Sequence, residues 1–221
     1  MSQPPLSPVE ARVLAVLFEK QRTTPDIYPL TVNALIAGCN QKSSRHPVMD
    51  LVESDVQAAL ASLKGRTLVM ESYGASGRVL RYAHNLPKWL GVGEGTSALL
   101  AMLMLRGPQT AAELRANADR LYQFADLSAV EAYLDEMASR KEAALAVRLP
   151  RQPGARESRW AHLLCGEPAS DAPSVPPART ADDAAALRAE LAQLREEVME
   201  LRATVERLCA ELGIEHRRSE S

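Results

Sequence analysis

The most constraining feature of this chain is a short motif that occurs twice. Residues 81–86 read RYAHNL and residues 159–164 read RWAHLL, so both run arginine, aromatic, alanine, histidine, any residue, leucine. The two copies are 78 residues apart, which indicates that one structural unit is present twice. Because two copies are too few for a solenoid, we expect tandem units of roughly 80 residues each.

Other positions of the unit also repeat, at offsets that differ slightly. Thr31 and Leu35 match Thr110 and Leu114 at an offset of 79 residues. At an offset of 74 residues the matching pairs are Val56 with Val130, Ala58 with Ala132, Leu60 with Leu134, Leu63 with Met137 and Arg66 with Arg140. Since the offset changes wherever a loop is longer in one copy, this drift is expected for a duplicated unit.

Each unit is predicted to contain three helices followed by a β-hairpin. In the first unit, Ser7, Pro8 and Glu10 form a helix-start signature of cap, first-turn proline and third-position glutamate. A second helix is predicted over 31–39 and a third over about 53–64, followed by strands in LVMESY and RVLRYAH. The second unit has the same order, with helices in SALLAMLMLRG, TAAELRANADRL and SAVEAYLDEMASRK and strands in AALAVRLP and ESRWAHLL.

Three helices followed by a hairpin is the element order of a winged helix. The predicted fold is mainly α with small β-hairpins, an α+β class, and has winged-helix domains over residues 1–88 and 94–165. Residues 166–180 are rich in Pro, Ala and Ser without apolar periodicity, which predicts a linker. A C-terminal coiled-coil helix is predicted over residues 181–214.

The coiled-coil prediction rests on an apolar seam in the last part of the chain. The seam consists of Leu187, Leu191, Leu194, Val198, Leu201, Val205, Leu208 and Leu212, spaced alternately four and three residues apart. Leucine at one heptad position and valine at two of the other favour a two-stranded coil. In parallel register Glu190 and Glu197 face Arg195 and Arg202 of the partner, whereas an antiparallel pair places like charges together. The seam therefore predicts a parallel homodimer; the alternatives are a foreign partner helix and docking of the helix onto its own domains.

Composition and motifs exclude several classes of protein. The three cysteines form neither a CxxC pair nor a disulfide framework. The first residues lack a charged region followed by an apolar stretch, so no secretory signal is expected, and the apolar run LLAMLML at 99–105 is too short to span a bilayer. We therefore expect a cytoplasmic protein with no membrane partner. No Walker loop, GxGxxG, GxSxG or HExxH motif occurs, so no enzyme activity, cofactor or metal site is expected, and the matched His84 and His162 predict a shared packing role.

Two polar segments are candidates for contact with phosphate. The first is the loop KSSR at 42–45, between the second and third helices of the first unit, since lysine, hydroxyl and arginine side chains commonly contact phosphate. The second is the second hairpin, where Arg148, Arg151 and Arg156 surround the turn and guanidinium groups can fork onto phosphate oxygens. The alternatives are a structured turn for the loop and, for the hairpin, arginines that pair with acids such as Glu157.

The third helices give little support for the reading of bases. In the first unit only Gln57 and Lys64 are outward residues suited to base edges, and the outward face of the second carries Glu131, Asp135 and Glu136. The net charge of −2 is also less basic than that of a typical strong nucleic-acid binder. The candidate nucleic-acid-binding residues are Lys42, Ser43, Ser44, Arg45, Gln57, Lys64, Arg78, Arg148, Arg151 and Arg156.

Several longer stretches resemble a known family. EKQRTTPDIYPLTVNALIAGCNQKSSRHPVM at 19–49 is similar to the signature of the YceH-like family of bacterial proteins. LRGPQTAAELR at 105–115, FADLSAVEAYL at 124–134 and RLPRQPGARESRWAHLL at 148–164 resemble it too. The resemblance implies tandem winged-helix domains and implies no particular activity. The coiled-coil segment 181–214 is the part that we expect the family to share least.

Two functions are compatible with these observations. The first is a dimeric DNA-binding or regulatory protein, in which the loop of the first domain and the hairpins contact double-stranded DNA. The second is a scaffold whose winged helices bind another protein, which would suit the acidic third helix of the second unit. Binding to duplex DNA that weakens steeply with salt would distinguish the first from the second.

Overall fold

The protein is described by a computed structural model that covers residues 4–73 and 79–168. Within these ranges it is a mixed α+β structure with seven α-helices and two antiparallel hairpins. The elements are α1 (Pro8–Thr23), α2 (Val32–Cys39), α3 (Glu53–Gly65), β1 (Val69–Tyr73), β2 (Leu80–His84), α4 (Leu86–Leu90), α5 (Glu94–Arg106), α6 (Ala111–Ala118), α7 (Leu127–Ser139), β3 (Ala146–Arg148) and β4 (Trp160–His162). The predicted order of three helices and a hairpin is therefore confirmed in both units.

The first helix begins where its capping signature places it. The Ser7 Oγ accepts a hydrogen bond from the Glu10 N–H (3.2 Å), and the Glu10 Oε2 accepts one from the Ser7 N–H (2.6 Å). At α3 the preceding residue is Val52, which has no side-chain acceptor, yet the helix still begins at Glu53. One of the two hydrogen bonds of a capping box still forms there, since the Val52 N–H donates to the Asp55 Oδ2 (3.1 Å).

The two units form equivalent backbone contacts at the repeated motif. Leu30 exchanges hydrogen bonds with Tyr82, the aromatic residue of the first motif (3.1 and 2.8 Å). Gln109 exchanges the same pair with Trp160, the aromatic residue of the second (3.1 and 2.7 Å). The sequence offset thus corresponds to a repeated structure, in which a short extended segment before the second helix of each unit borders the hairpin.

The first helices of the two units, α1 and α5, pack against each other at the centre of the core. Every residue of α5 from Gly95 to Leu105 is buried, and so is every residue of α1 from Glu10 to Phe18. An ion pair between Arg22 and Glu94 joins the end of α1 to the start of α5, so the two helices run antiparallel. A helix that is apolar around its whole circumference must be covered on all sides, and the antiparallel neighbour contributes part of that cover.

The short helix α4 connects the two units and was not predicted from the sequence. Two arginines that match each other between the repeats hold it in place. The Arg66 guanidinium lies 5.6 Å from the centre of the Trp89 ring, and the Arg140 Nη2 donates to the Leu90 carbonyl oxygen (3.2 Å). The matched arginines therefore fix the connection between the units from both sides.

The beginning of the described chain lies beside its end. The Leu6 N–H donates to the Leu164 carbonyl oxygen (2.7 Å), just after β4. No helix among the described residues is both long and apolar enough to cross a membrane. The predicted coiled-coil seam at 187–212 and the candidate Arg78 lie outside the described residues.

Candidate nucleic-acid interface

The loop between α2 and α3 is closed by a single asparagine. The Asn40 side-chain amide donates to the Leu51 carbonyl oxygen and accepts from the Leu51 N–H, each at 2.9 Å. These two bonds join the residues at both ends of the loop. The ten residues between them therefore form a loop whose two ends are held together by the Asn40 side chain.

Arg45 points into the protein and not toward solvent. It is 5% exposed, and its Nη1 and Nη2 atoms contact the two carboxylate oxygens of Glu19 at 3.1 and 2.6 Å. Its Nε donates to the Gly38 carbonyl oxygen (3.1 Å) and its Nη1 to that of Ser44 (2.9 Å). Because its donors are engaged in the interior, we leave Arg45 out of the interface proposed below.

A second buried arginine supports the same loop from α1. Arg12 is 1% exposed and donates to the carbonyl oxygens of Cys39 (3.1 Å) and Pro47 (2.7 Å). Burial, together with the nearby Arg45, lowers the pKa of Arg12. Burial also raises the pKa of the Cys39 thiol to about 12, so this cysteine is a neutral packing residue.

The loop also contacts the second unit. The His46 N–H donates to the Leu105 carbonyl oxygen (2.7 Å), and the Arg106 Nη2 donates to the Ser44 Oγ (2.7 Å). Ser44 itself adopts a left-handed backbone conformation with φ of 60°. The side chains of Lys42, Ser43 and Ser44 are thus exposed on a loop that is fixed at both ends and against α5.

Arg106 was not among the residues singled out from the sequence. It lies at the C-terminal end of α5 next to the loop, and three residues later Gln109 pairs with Trp160 of β4. Gln109 is fixed in turn, since its Nε2 donates to the Met102 carbonyl oxygen (3.1 Å). Arg106 therefore links the exposed loop of the first unit to the hairpin of the second.

The candidates on α3 are exposed but already have acidic partners. The Gln57 Nε2 donates to the Glu53 Oε1 (2.7 Å). The Lys64 Nζ lies 2.5 Å from the Glu71 Oε2, and this contact raises the pKa of Lys64. Both side chains would have to exchange these partners before contacting a base.

The hairpin of the second unit carries four exposed arginines. We call residues 148–159 the arginine hairpin; its arginines are Arg148, Arg151, Arg156 and Arg159. The Arg148 guanidinium lies 6.0 Å from the centre of the Trp160 ring. Arg159 lies 3.8 Å from Glu113, and none of the ion pairs within residues 4–73 and 79–168 involves the other three.

The exposed side of α7 is acidic, as the sequence indicated. Glu131, Asp135 and Glu136, which we call the acidic face, are exposed, and none of them belongs to an ion pair in the described part of the chain. The residues that pack inward are Val130, Leu134 and Met137. A helix with this surface repels phosphate and does not favour insertion into a DNA groove.

The two matched histidines occupy equivalent positions at the ends of β2 and β4. His84 lies 5.0 Å from the Phe18 ring, and its Nε2 is 2.8 Å from the Gln21 Oε1. The Nδ1 of His162 is buried without a hydrogen-bond partner in the described structure. Burial lowers the pKa of each imidazole to about 4, so both are neutral packing groups near pH 7.

Comparison with known proteins identifies relatives along nearly the whole chain. The family model described as "Protein of unknown function, DUF480" matches residues 6–155. A UPF0502 protein of Acidovorax sp. (strain JS42) is 55% identical over 216 residues, covering 95% of both chains. A UPF0502 protein of Cupriavidus taiwanensis is 53% identical over 217 residues, covering 95% of this chain and 88% of its own.

These matches bear on two expectations from the sequence. They agree with the resemblance to a YceH-like bacterial family. The family model ends at residue 155 and leaves out segment 181–214, in line with the expectation that the family shares this segment least. The two relatives nevertheless match over 95% of the chain, so at least part of the segment has a counterpart in them.

Proposed function

The chain belongs to the DUF480 family, and we propose that it is a non-enzymatic, dimeric winged-helix protein that binds the backbone of duplex DNA. The order of three helices and an antiparallel hairpin in each unit supports two winged helices. In this arrangement α3 and α7 are the third helices, and each hairpin is a wing.

The observation that carries the proposal is the arginine hairpin. Three of its four arginines are exposed without a carboxylate partner in the described structure, so their guanidinium groups are accessible to a ligand. Guanidinium groups form bidentate hydrogen bonds with phosphate oxygens, and such contacts position a protein on DNA without reading its sequence. The hairpin is therefore suited to contact with the phosphate backbone.

The exposed loop of the first unit extends this surface. Lys42 and the hydroxyl groups of Ser43 and Ser44 are exposed, and the Arg106 guanidinium holds Ser44 beside the end of α5. Since the loop is fixed by buried bonds, these groups can meet a phosphate with little further loss of conformational freedom. We include Lys42, Ser43, Ser44 and Arg106 in the proposed interface.

Binding of this kind is expected to be independent of sequence. On α3, Gln57 and Lys64 are engaged by neighbouring acids, and the corresponding surface of α7 is the acidic face. Direct discrimination between bases needs donors and acceptors that can enter a groove. We therefore expect similar affinity for duplexes of different sequence at the same salt concentration.

The test is the salt dependence of binding to a fluorescent duplex, measured by anisotropy. The variant Arg148→Gln/Arg151→Gln/Arg156→Gln should bind more weakly, and its slope of log K against log salt should fall by about 0.9 for each phosphate that it no longer neutralises. The matched control is Lys88→Gln/Arg120→Gln/Lys141→Gln, which removes the same charge from exposed positions elsewhere. Equal slopes for the two triple variants would refute a specific role for the arginine hairpin.

Dimerisation through the heptad seam is a separate part of the proposal. Leu194→Asp with Leu201→Asp should abolish the seam dimer and give a monomer in light scattering at 0.5 M salt, because both residues lie on the seam of eight apolar residues. A full-length wild-type chain that is monomeric at tens of micromolar would contradict the dimer. It would favour a foreign partner helix or an intramolecular contact.

The acidic face favours a second candidate function, a protein scaffold. An exposed helix surface with three carboxylates and no ion pair in the described residues is suited to a basic protein surface. The same anisotropy experiment distinguishes the two candidates. Absence of any duplex binding at low salt would exclude the DNA-binding role and leave the scaffold role as the better explanation.

A further inference from the structure

The arginine hairpin and the acidic face belong to neighbouring elements of the second unit. α7 packs against β3, and the Leu145 N–H, just before β3, donates to the Met137 carbonyl oxygen of α7 (2.9 Å). No ion pair joins the two groups in the described structure. The two sets of opposite charges therefore do not neutralise each other within one copy.

The two surfaces are matched in charge. The arginine hairpin has four arginines and Glu157, a net charge of +3, and the acidic face has three carboxylates, a net charge of −3. Between the carboxylates, α7 exposes the small side chains of Ser128, Ala132 and Ser139. These leave room for a long guanidinium side chain to approach the helix.

We propose that a second copy of this chain docks on this surface, with the arginine hairpin of each copy on the acidic face of the other. A surface that carries both a basic and an acidic patch is complementary to its own copy after a twofold rotation. Each copy then contributes the same two patches, and all of the unneutralised charges acquire partners. This interface is distinct from the heptad seam and does not require it.

The contact has a consequence for the proposed function. The arginines that would contact phosphate are the ones that the second copy would cover, so self-association and DNA would compete for them. This consequence rests on the proposed function, whereas the contact between copies does not. The experiment below therefore contains no DNA, and its outcome is independent of whether the protein binds a duplex.

Sedimentation velocity tests the contact on the full-length chain carrying Leu194→Asp and Leu201→Asp, which removes the seam. We expect self-association that depends on protein concentration and weakens at least about tenfold between 0.05 and 0.5 M salt, because the screening length of exposed charges falls from about 14 Å to about 4 Å over this range. A chain that stays monomeric at low salt, or associates equally at both salt concentrations, would overturn the proposal.

Charge reversal provides the decisive comparison in the same background. An acidic variant, Arg148→Glu/Arg151→Glu/Arg156→Glu, and a basic variant, Glu131→Arg/Asp135→Arg/Glu136→Arg, should each fail to self-associate. Mixed together they should form a one-to-one complex, because each patch again meets an opposite charge. Formation of this complex also shows that both variants are folded.

A third variant controls for net charge. Lys88→Glu/Arg120→Glu/Lys141→Glu has the same net charge as the acidic variant but keeps the arginine hairpin. Its mixture with the basic variant should associate at least about tenfold more weakly than the mixture of the two matched variants. Equal association of both mixtures would show that net charge alone is responsible and would refute the proposed contact.

Discussion

Arg45 offers the sharpest test of how the loop between α2 and α3 is held. We expect Arg45→Ala to lower the free energy of unfolding substantially, because the substitution removes both hydrogen bonds to Glu19 and those to the Gly38 and Ser44 carbonyl oxygens. The Glu19 side chain is 14% exposed, so its carboxylate would remain largely buried with only the Lys20 Nζ, 3.9 Å away, as a cationic partner.

The magnitude follows from the burial of the pair. Breaking a buried ion pair by removing one partner costs about 3–5 kcal/mol. For a chain of this length a loss of 1 kcal/mol lowers the melting temperature by about 2–4 °C, so a decrease of roughly 6–20 °C is expected. Lys42→Ala, three residues away on the exposed side of the same loop, should change the free energy of unfolding by less than about 0.5 kcal/mol.

The assay is urea and thermal unfolding followed by circular dichroism, with Glu19→Ala and the Glu19→Ala/Arg45→Ala double variant completing a cycle. The double variant should be less destabilised than the sum of the single variants, since neither buried charge is then left alone. If Arg45→Ala unfolds within about 1 kcal/mol of wild type, or if the cycle is additive, the buried pair does not hold the loop.

Two further predictions concern packing and protonation. Gly38→Ala should lower the free energy of unfolding by about 1–3 kcal/mol, because a Cβ there would lie 2.7 Å from the Val16 Cγ1. Gly65→Ala, where a Cβ would meet open space, should raise it by about 0.4–1 kcal/mol. Equal urea unfolding midpoints for the two variants would contradict this prediction. Burial lowers the pKa of His84 and His162 to about 4 from an ordinary 6.5, so stability should be lost as pH falls from 6.5 to 4, by up to about 1.4 kcal/mol per pH unit for each residue. Urea unfolding at pH 7, 5.5 and 4.5 checks this prediction: the free energy of unfolding should fall less with pH when both histidines are replaced by glutamine. If it falls equally in wild type and in the double variant, the histidines are not the source of the loss.

The order of the elements could be predicted because it depends on local signals. Periodic apolar residues and caps act within a few residues, and α1 begins where its predicted cap, Ser7, places it. Thr110 caps α6 in the same way, although it was matched to Thr31 from the sequence without being predicted as a cap. The strands of the second hairpin are shorter than predicted, three residues each. One hydrogen bond of the ladder continues beyond β3, because the Leu149 N–H donates to the Arg159 carbonyl oxygen (2.8 Å).

The partners of the candidate site residues could not be predicted in the same way. The segment at 42–45 has the polar composition of an exposed loop. Arg45 is nevertheless buried, and it pairs with the carboxylate of Glu19, which lies 26 residues earlier in the sequence. Likewise Arg106 contacts Ser44 from 62 residues away. Contacts over such distances in sequence depend on how α1 and α5 pack, and no local pattern encodes them.

The hydrogen bond between Leu6 and Leu164 has a practical consequence for protein engineering. Because the two ends of the described unit meet, residues 4 and 168 can be joined or tagged at one place on its surface. A short linker from residue 168 back to residue 4 would close the chain at a small entropic cost. The chain could then be reopened at the exposed turn around Gly154, giving a circular permutant whose new termini flank the arginines.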